Sequence, residues 1–238
     1  MSSGSLTVGG TMSSAYYILP VICGEFYRKH PNISITIDMS ASDAEIRNKT
    51  VDLMLSFTPN TAEYEALPLL EERLVVAIHK KHPQAERIAD YAVPYQQLIS
   101  RNIAPEREIS DVSLFQDIPF IKTGKEADAD RRLAMMIENH KTSRCIVANA
   151  KTFDMRYRIM QEGLGALLVS DLFVANFPHN KESIYYFALK DLRSYRKLYI
   201  QRKKNLVKNE ILDKFITTAV ECCRNKDLFR RMQTNGLS

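Results

Sequence analysis

Residues 5–38 read SLTVGGTMSSAYYILPVICGEFYRKHPNISITID. Leu6 and Val8 followed by Gly9 and Gly10 end a short apolar strand. Small residues Thr11, Ser13 and Ser14 lead into Ile18, Val21, Ile22 and Phe26, a helical spacing of apolar positions. Pro20 has no N–H and would clash with the carbonyl four residues back, so the regular helix is expected to start near Tyr16. Pro31 ends it. Ile33, Ile35 and Ile37 then alternate with Ser34, Thr36 and Asp38, a strand arriving too soon for anything but a compact crossover. The stretch is a βαβ unit, and its loop from Gly9 to Ser14 lies where backbone N–H groups and hydroxyls converge on small anions.

Working outward, the alternation continues. Ser42 and Glu45 have the spacing of a capping box, which predicts a short helix from Asp43. Val51 to Phe57 is a buried parallel strand with Ser56 and Thr58 at its carboxyl end, and Leu67 to His79 is one long strand closed by His82-Pro83. From Gln84 to Ser113 the pattern supports only short helices or loop. Pro119 to Ile121 is a strand, Thr123 and Glu126 make a second capping box, and a helix from about Glu126 carries Leu133, Met136 and Ile137. Cys145 to Ala148 is a strand, Thr152 caps a helix from Phe153 to Glu162, and Gly163 stands at its C′ position. Ala166 to Val169, Ile184 to Leu189 and Leu198 to Arg202 are further strands, and Glu210 to Cys223 is a closing amphipathic helix. The class is α/β. A strand, a loop with Ser or Thr and a helix start recur at Thr11, Ser42, Thr123 and Thr152, which predicts a cleft lined by hydroxyls.

With 238 residues, 45% of them hydrophobic and 26% charged, the chain can bury a core in one large or two small lobes, and no internal repeat is visible. The net charge of +5 is uneven: residues 190–238 hold 13 Lys and Arg against 5 Asp and Glu, a net of +8, leaving −3 for the rest. The plain reading puts Arg202, Lys203 and Lys204 in a turn and the other charges on a solvated helix face. Cys23, Cys145, Cys222 and Cys223 show no CxxC spacing, which fits reduced thiols in the cytoplasm. No signal peptide or membrane-length apolar run is present.

No nucleophile elbow, Walker loop, HExxH or GxGxxG fingerprint occurs. His79 and His82 stand three apart at a strand end and are not expected to hold a metal. Asp128 and Asp130 open a helix, where acids serve the macrodipole. The expectation is a binding protein with neither enzyme activity nor cofactor.

The ordered set GSLTVGG-TMSSAYYILPVICGEFYRKHPNISITI, VDLMLSF, LEERLVVAIHKKHP, PFI and MQEGLGALLVSDLF resembles the effector-binding domain of LysR-type transcriptional regulators over nearly the whole chain. The resemblance implies two Rossmann-like lobes joined by two crossover strands, like type 2 periplasmic binding proteins, with lobe one at 1–77 plus 186–238 and lobe two at 78–185. The crossovers would lie near Leu74 to His79 and Tyr185 to Ala188. It implies a small effector, anionic given the hydroxyl-lined loops, in a cleft between the lobes. Mapped by motif, the cleft residues are Thr11, Met12 and Ser13; Ser40 and Ser42; Thr123 and Gly124; Thr152 and Phe153. It also implies a homodimer, with DNA contacted only through a winged helix-turn-helix that this chain does not contain. The 84–113 region is about 20 residues longer than usual between HP and PFI and is a candidate cover for the cleft. A solute-binding protein of a transport system would share the lobes and is the alternative.

Overall fold

The computed structural model describes residues 4–40, 47, 50–122, 128–137, 145–147, 152–176, 181–204 and 209–225. They form strands β1 (Gly4–Thr11), β2 (Ile33–Ser40), β3 (Leu53–Ser56), β4 (Tyr64–His79), β5 (Glu108–Ile109), β6 (Phe120–Lys122), β7 (Cys145–Val147), β8 (Ala166–Ser170), β9 (Ile184–Leu189) and β10 (Tyr195–Lys203). The α-helices are α1 (Met12–Tyr17), α2 (Leu19–Lys29), α3 (Tyr95–Ser100), α4 (Asp128–Ile137), α5 (Phe153–Gln161), α6 (Asp171–Asn176) and α7 (Glu210–Arg224). Two compact units result, unit 1 from Met1–Glu71 and Lys197–Ser238 and unit 2 from Glu72–Arg196. The chain thus leaves unit 1 within β4 and returns within β10. Tyr185 to Ala188, where the sequence reading put the return, pair with Ile78 to Val75 and lie inside unit 2.

In unit 1, β1 pairs in parallel with β2 on one side and β3 on the other, and β10 runs antiparallel to β3. Leu6, Val8, Leu53 and Leu55 are buried in that sheet. Over them, Ile22 and Phe26 of α2 are fully buried, and Phe26 meets Phe215 of α7 edge-on at 5.1 Å. The helix after β1 is in two pieces, with the break at Ile18 and Pro20 in the first turn of α2. The expected single helix from near Tyr16 is corrected to this pair: Pro20 has no N–H for the Tyr16 carbonyl, so the ladder restarts where that N–H is not needed. β2 is an edge strand of the described sheet, so Ile33 is buried while Ile37 is 40% exposed, a weaker inside face than the alternation predicts. Arg202 and Lys203 end β10, and only Lys204 is in the turn expected for all three.

In unit 2, β6 lies between β7 and β8, parallel to both, and β4 runs antiparallel to β8 and β9, with β5 beyond β9. The core gathers Val76, Ile78, Phe187 and Leu168 from the sheet and Leu133 and Met136 from α4. The 84–113 region, expected as short helices or loop, is a chain of short helical turns around α3 and β5. Its Ala85, Ile88, Ile109 and Val112 are part of that core, as is Phe115 just beyond it, which packs edge-on to Phe187 at 5.6 Å. Gly163 has the predicted left-handed backbone, φ +75°, and a Cβ there would sit 3.0 Å from Lys81 Cβ and 3.1 Å from His82 N.

The strand orders of the units match. Unit 1 reads β2-β1-β3 and then antiparallel β10; unit 2 reads β7-β6-β8 and then antiparallel β4. The sequence shows no repeat, yet the connectivity repeats. Among the described residues no helix is long and apolar enough to cross a membrane.

Candidate functional site

In each unit the chain goes from the central strand to one neighbour and then crosses to the other side. Such a reversal leaves a crevice at the carboxyl ends of the two strands flanking it, where ligands bind in open α/β sheets.

In unit 1 those ends are Thr11 on β1 and Ser56 on β3, with Ser40 of β2 as the Cα partner of Thr11. Thr11 occupies the N-cap position of α1 with extended backbone, but its side chain makes no capping bond. Its hydroxyl lies 3.3 Å from Ser14 Oγ, and Ser14 Oγ donates to the Thr11 carbonyl at 3.0 Å. Gly10 makes this possible, because a Cβ there would approach Ser14 Oγ to 2.9 Å. Ser56 Oγ is used locally, donating to Thr58 O at 3.1 Å and accepting from Thr58 N at 3.0 Å. Ser40 differs: it is buried, and among the described residues its Oγ has no hydrogen-bond partner. A buried hydroxyl without a partner loses the full value of its hydration, so such atoms call for an explanation. Met12 and Ser13 open α1, and Ser42 and its capping box lie outside the described residues.

In unit 2, Thr123 and Gly124 likewise lie outside the described residues, as does the Thr123–Glu126 capping box. Thr152 is exposed at the N-cap of α5 and makes no capping bond, contrary to the expected cap. Phe153 begins the helix, its ring 4.1 Å from that of Phe173 and 6.1 Å from that of Tyr157. The structure therefore brings Thr11 and Ser40 together in unit 1 and Thr152 and Phe153 in unit 2.

Sequence reasoning missed a charged network at the carboxyl end of β8. Ser170 Oγ donates to Glu72 Oε2 at 2.8 Å, and Arg196 reaches Glu72 Oε1 at 2.5 Å through Nη2 and 2.6 Å through Nε. Arg196 Nη1 also meets Asp128 Oδ2 at 3.1 Å, which Arg132 Nε shares at 2.9 Å. Burial raises the Asp128 carboxyl, but Arg196 and Arg132 outweigh it and hold the pKa below the usual value. Asp128 is thus an ion-pair partner as well as a first-turn acid. Next door, Asp171 accepts from Arg73 N at 3.0 Å and Arg101 Nε at 2.7 Å; burial still pushes its pKa up, Arg101 opposing and Glu72 adding. These partners are scattered over 124 positions, and no local spacing announces them.

His79 Nδ1 accepts from Lys81 N and His82 Nδ1 from Gln84 N, both at 3.1 Å, so each ring closes a turn. Among the described residues no group of acids, histidines and cysteines is arranged to hold a metal. Cys23, Cys222 and Cys223 are free thiols; burial pushes Cys23 up to about 11 and Cys223 to about 12.

Residues 1–224 match the family model of the LysR substrate binding domain. The chain belongs to that family. It is the effector-binding regulatory domain of a LysR-type transcriptional regulator, which decides against the transport alternative, and regulatory domains of this kind are not enzymes. Among solved structures it is similar to the regulatory domain of Synechocystis PCC6803 CcmR in complex with 2-PG, at 17% identity and TM-score 0.74, covering 94% of this chain and 99% of that one. The BenM effector-binding domain with its effector benzoate matches at 14% and 0.70, covering 96% of each. The reduced OxyR regulatory domain of Pseudomonas aeruginosa matches at 14% and 0.69, covering 92% and 98%. At such identities the likeness is one of fold, and the fold is the type 2 periplasmic-binding-protein-like architecture of LysR effector-binding domains.

Proposed function

We propose that this LysR domain senses a small anionic effector through the carboxyl-end residues of its sheets: Thr11, Met12, Ser13, Ser40 and Ser42 of unit 1, and Thr123, Gly124, Thr152 and Phe153 of unit 2. The two units are the two lobes of the family architecture. The observation that carries this is the unpartnered Oγ of buried Ser40, beside Thr11 at the chain reversal. A hydroxyl in that position can donate to a bound carboxylate or phosphate. The CcmR and BenM domains with 2-PG and benzoate support the choice of an anion. The effector acts by differential affinity for two arrangements of the regulator. In the cell, the chain works in the cytoplasm as a homodimer, and DNA is contacted by the winged helix-turn-helix of the full regulator.

The test is a thermal-shift screen of small carboxylates and phosphate esters, followed by calorimetric titration of the best compound. Ser40→Ala leaves the apo melting temperature unchanged or slightly higher, since it removes an unsatisfied polar atom, and weakens binding about tenfold. Thr11→Ala with Ser13→Ala abolishes binding without unfolding the domain. Unchanged affinity in both variants refutes this site.

A further inference from the structure

The guanidinium of Arg156, on α5, is placed against two ordinary preferences of an arginine, for a contact carboxylate and for a site away from a helix N-terminus. It stands fourth in that helix, in the first turn, where the macrodipole disfavours cations. It is partly buried, with its guanidinium carbon over the Phe153 ring at 5.3 Å from the centroid. Among the described residues its buried Nε has no hydrogen-bond partner. Among the described residues no carboxylate comes within ion-pair distance of it, and Asp130 acts on it only through space. Burial lowers its pKa from the ordinary value.

The other buried guanidiniums of unit 2 are paired. Arg73 has Glu108 at 2.7 Å and Arg196 has Glu72 at 2.5 Å, while the more exposed Arg101 has Asp171 at 2.7 Å. A desolvated cation without a contact ion pair is costly, and such a group is a candidate for a functional site. Arg156 is also preorganised, because the Phe153 ring beneath it is packed against Phe173 and Tyr157. A ligand meeting it would find the side chain already ordered.

We propose that Arg156 is the anchor for the oxyanion of the effector, pairing its guanidinium fork with a carboxylate or phosphate at the amino end of α5. The inference rests on the sensing role proposed above and adds the residue that selects charge. Thr152, whose hydroxyl is not spent on capping, and Phe153 border the same position. Arginine suits the task because its planar donors meet two oxygens at once.

The experiment measures calorimetric affinity of the whole chain for benzoate, 2-phosphoglycolate and inorganic phosphate, with benzamide as the neutral counterpart of benzoate. The panel is applied to wild type, Arg156→Gln and Arg156→Lys, with apo melting temperatures as the control for folding. The expected result is that wild type prefers at least one anion, that Arg156→Gln loses about tenfold or more on it, and that Arg156→Lys keeps part. For benzoate, the preference over benzamide collapses in Arg156→Gln. If anions bind wild type and Arg156→Gln alike, or if only benzamide binds, the domain still senses small molecules and the role of Arg156 is refuted. If none of the four compounds binds wild type, the anchor is refuted for these anions, and a wider screen that also finds nothing refutes the sensing site itself.

Discussion

Glu72, the first residue of unit 2, and Arg196, its last, are joined by a buried ion pair of 2.5 Å. Neither side chain is more than 4% exposed. Removing one partner leaves a buried charge uncompensated, so Arg196→Met is expected to destabilise the protein by about 3–5 kcal/mol. Combining it with Glu72→Met recovers a large part of that loss, although Asp128 still lacks one of its three arginines. Urea denaturation of the two single variants and the double variant measures the coupling; additive losses would show that the pair is not energetically joined.

His82 is buried, and burial lowers its pKa below the ordinary 6.5. The unfolded chain therefore takes up a proton at a higher pH than the folded one. Stability from this group is present above about pH 6.5 and is lost as pH falls toward the lower folded value. In His82→Asn the side chain can still accept from Gln84 N, and the melting temperature should fall less between pH 7 and about pH 5 than in wild type. An unchanged slope would place the acid sensitivity elsewhere.

The two glycines of the Gly163-Leu164-Gly165 segment are there for different reasons. Gly163 needs its left-handed backbone, and Gly163→Ala should cost about 1–2 kcal/mol. Gly165 has ordinary backbone, but a Cβ on it would stand 2.3 Å from the Pro119 carbonyl oxygen, next to the bond from Ala166 N to that same oxygen. Backbone must move to accept it, so Gly165→Ala is expected to cost more than Gly163→Ala, about 3 kcal/mol or above. Denaturant midpoints of the two variants decide the order.

The thiols Cys23 and Cys223 should be inert in the native state. Burial pushes the Cys23 thiol up to about 11 and that of Cys223 to about 12, so very little of either is the reactive thiolate at pH 8. Treatment with a thiol reagent or with peroxide, followed by mass spectrometry, should leave both unmodified until denaturant is added. Rapid labelling of either would show that burial does not protect it.

What the sequence made legible follows from local physics. The βαβ opening was readable because Pro20, Pro31 and the Ile33–Ile37 alternation leave few options, and Gly163 because a helix end favours it. Periodicity puts Thr11 and Ser40 only in the loops after the first two strands, whereas in the fold they are the last residues of β1 and β2. The exact partition of the chain was not readable, since β4 and β10 each serve both units and carry no break in pattern. The Glu72–Arg196–Asp128 network joins residues far apart in sequence, so only the folded chain brings it together. Arg156 carried a faint signal, an arginine in a helix's first turn after Thr152, but its lack of a contact ion pair among the described residues is a property of the fold.

The split of unit 1 has a consequence during synthesis. Unit 2 is one uninterrupted stretch, whereas the strand that closes unit 1 beyond β3 comes from residues 199–201. As the chain leaves the ribosome, unit 2 can gather while the Leu53–Ser56 edge, apolar except for its last residue, still lacks that neighbour. An unpaired apolar edge is where a nascent chain is most open to pairing with others. The order in which the strands are made, as much as their final stability, decides when this protein is at risk of aggregation.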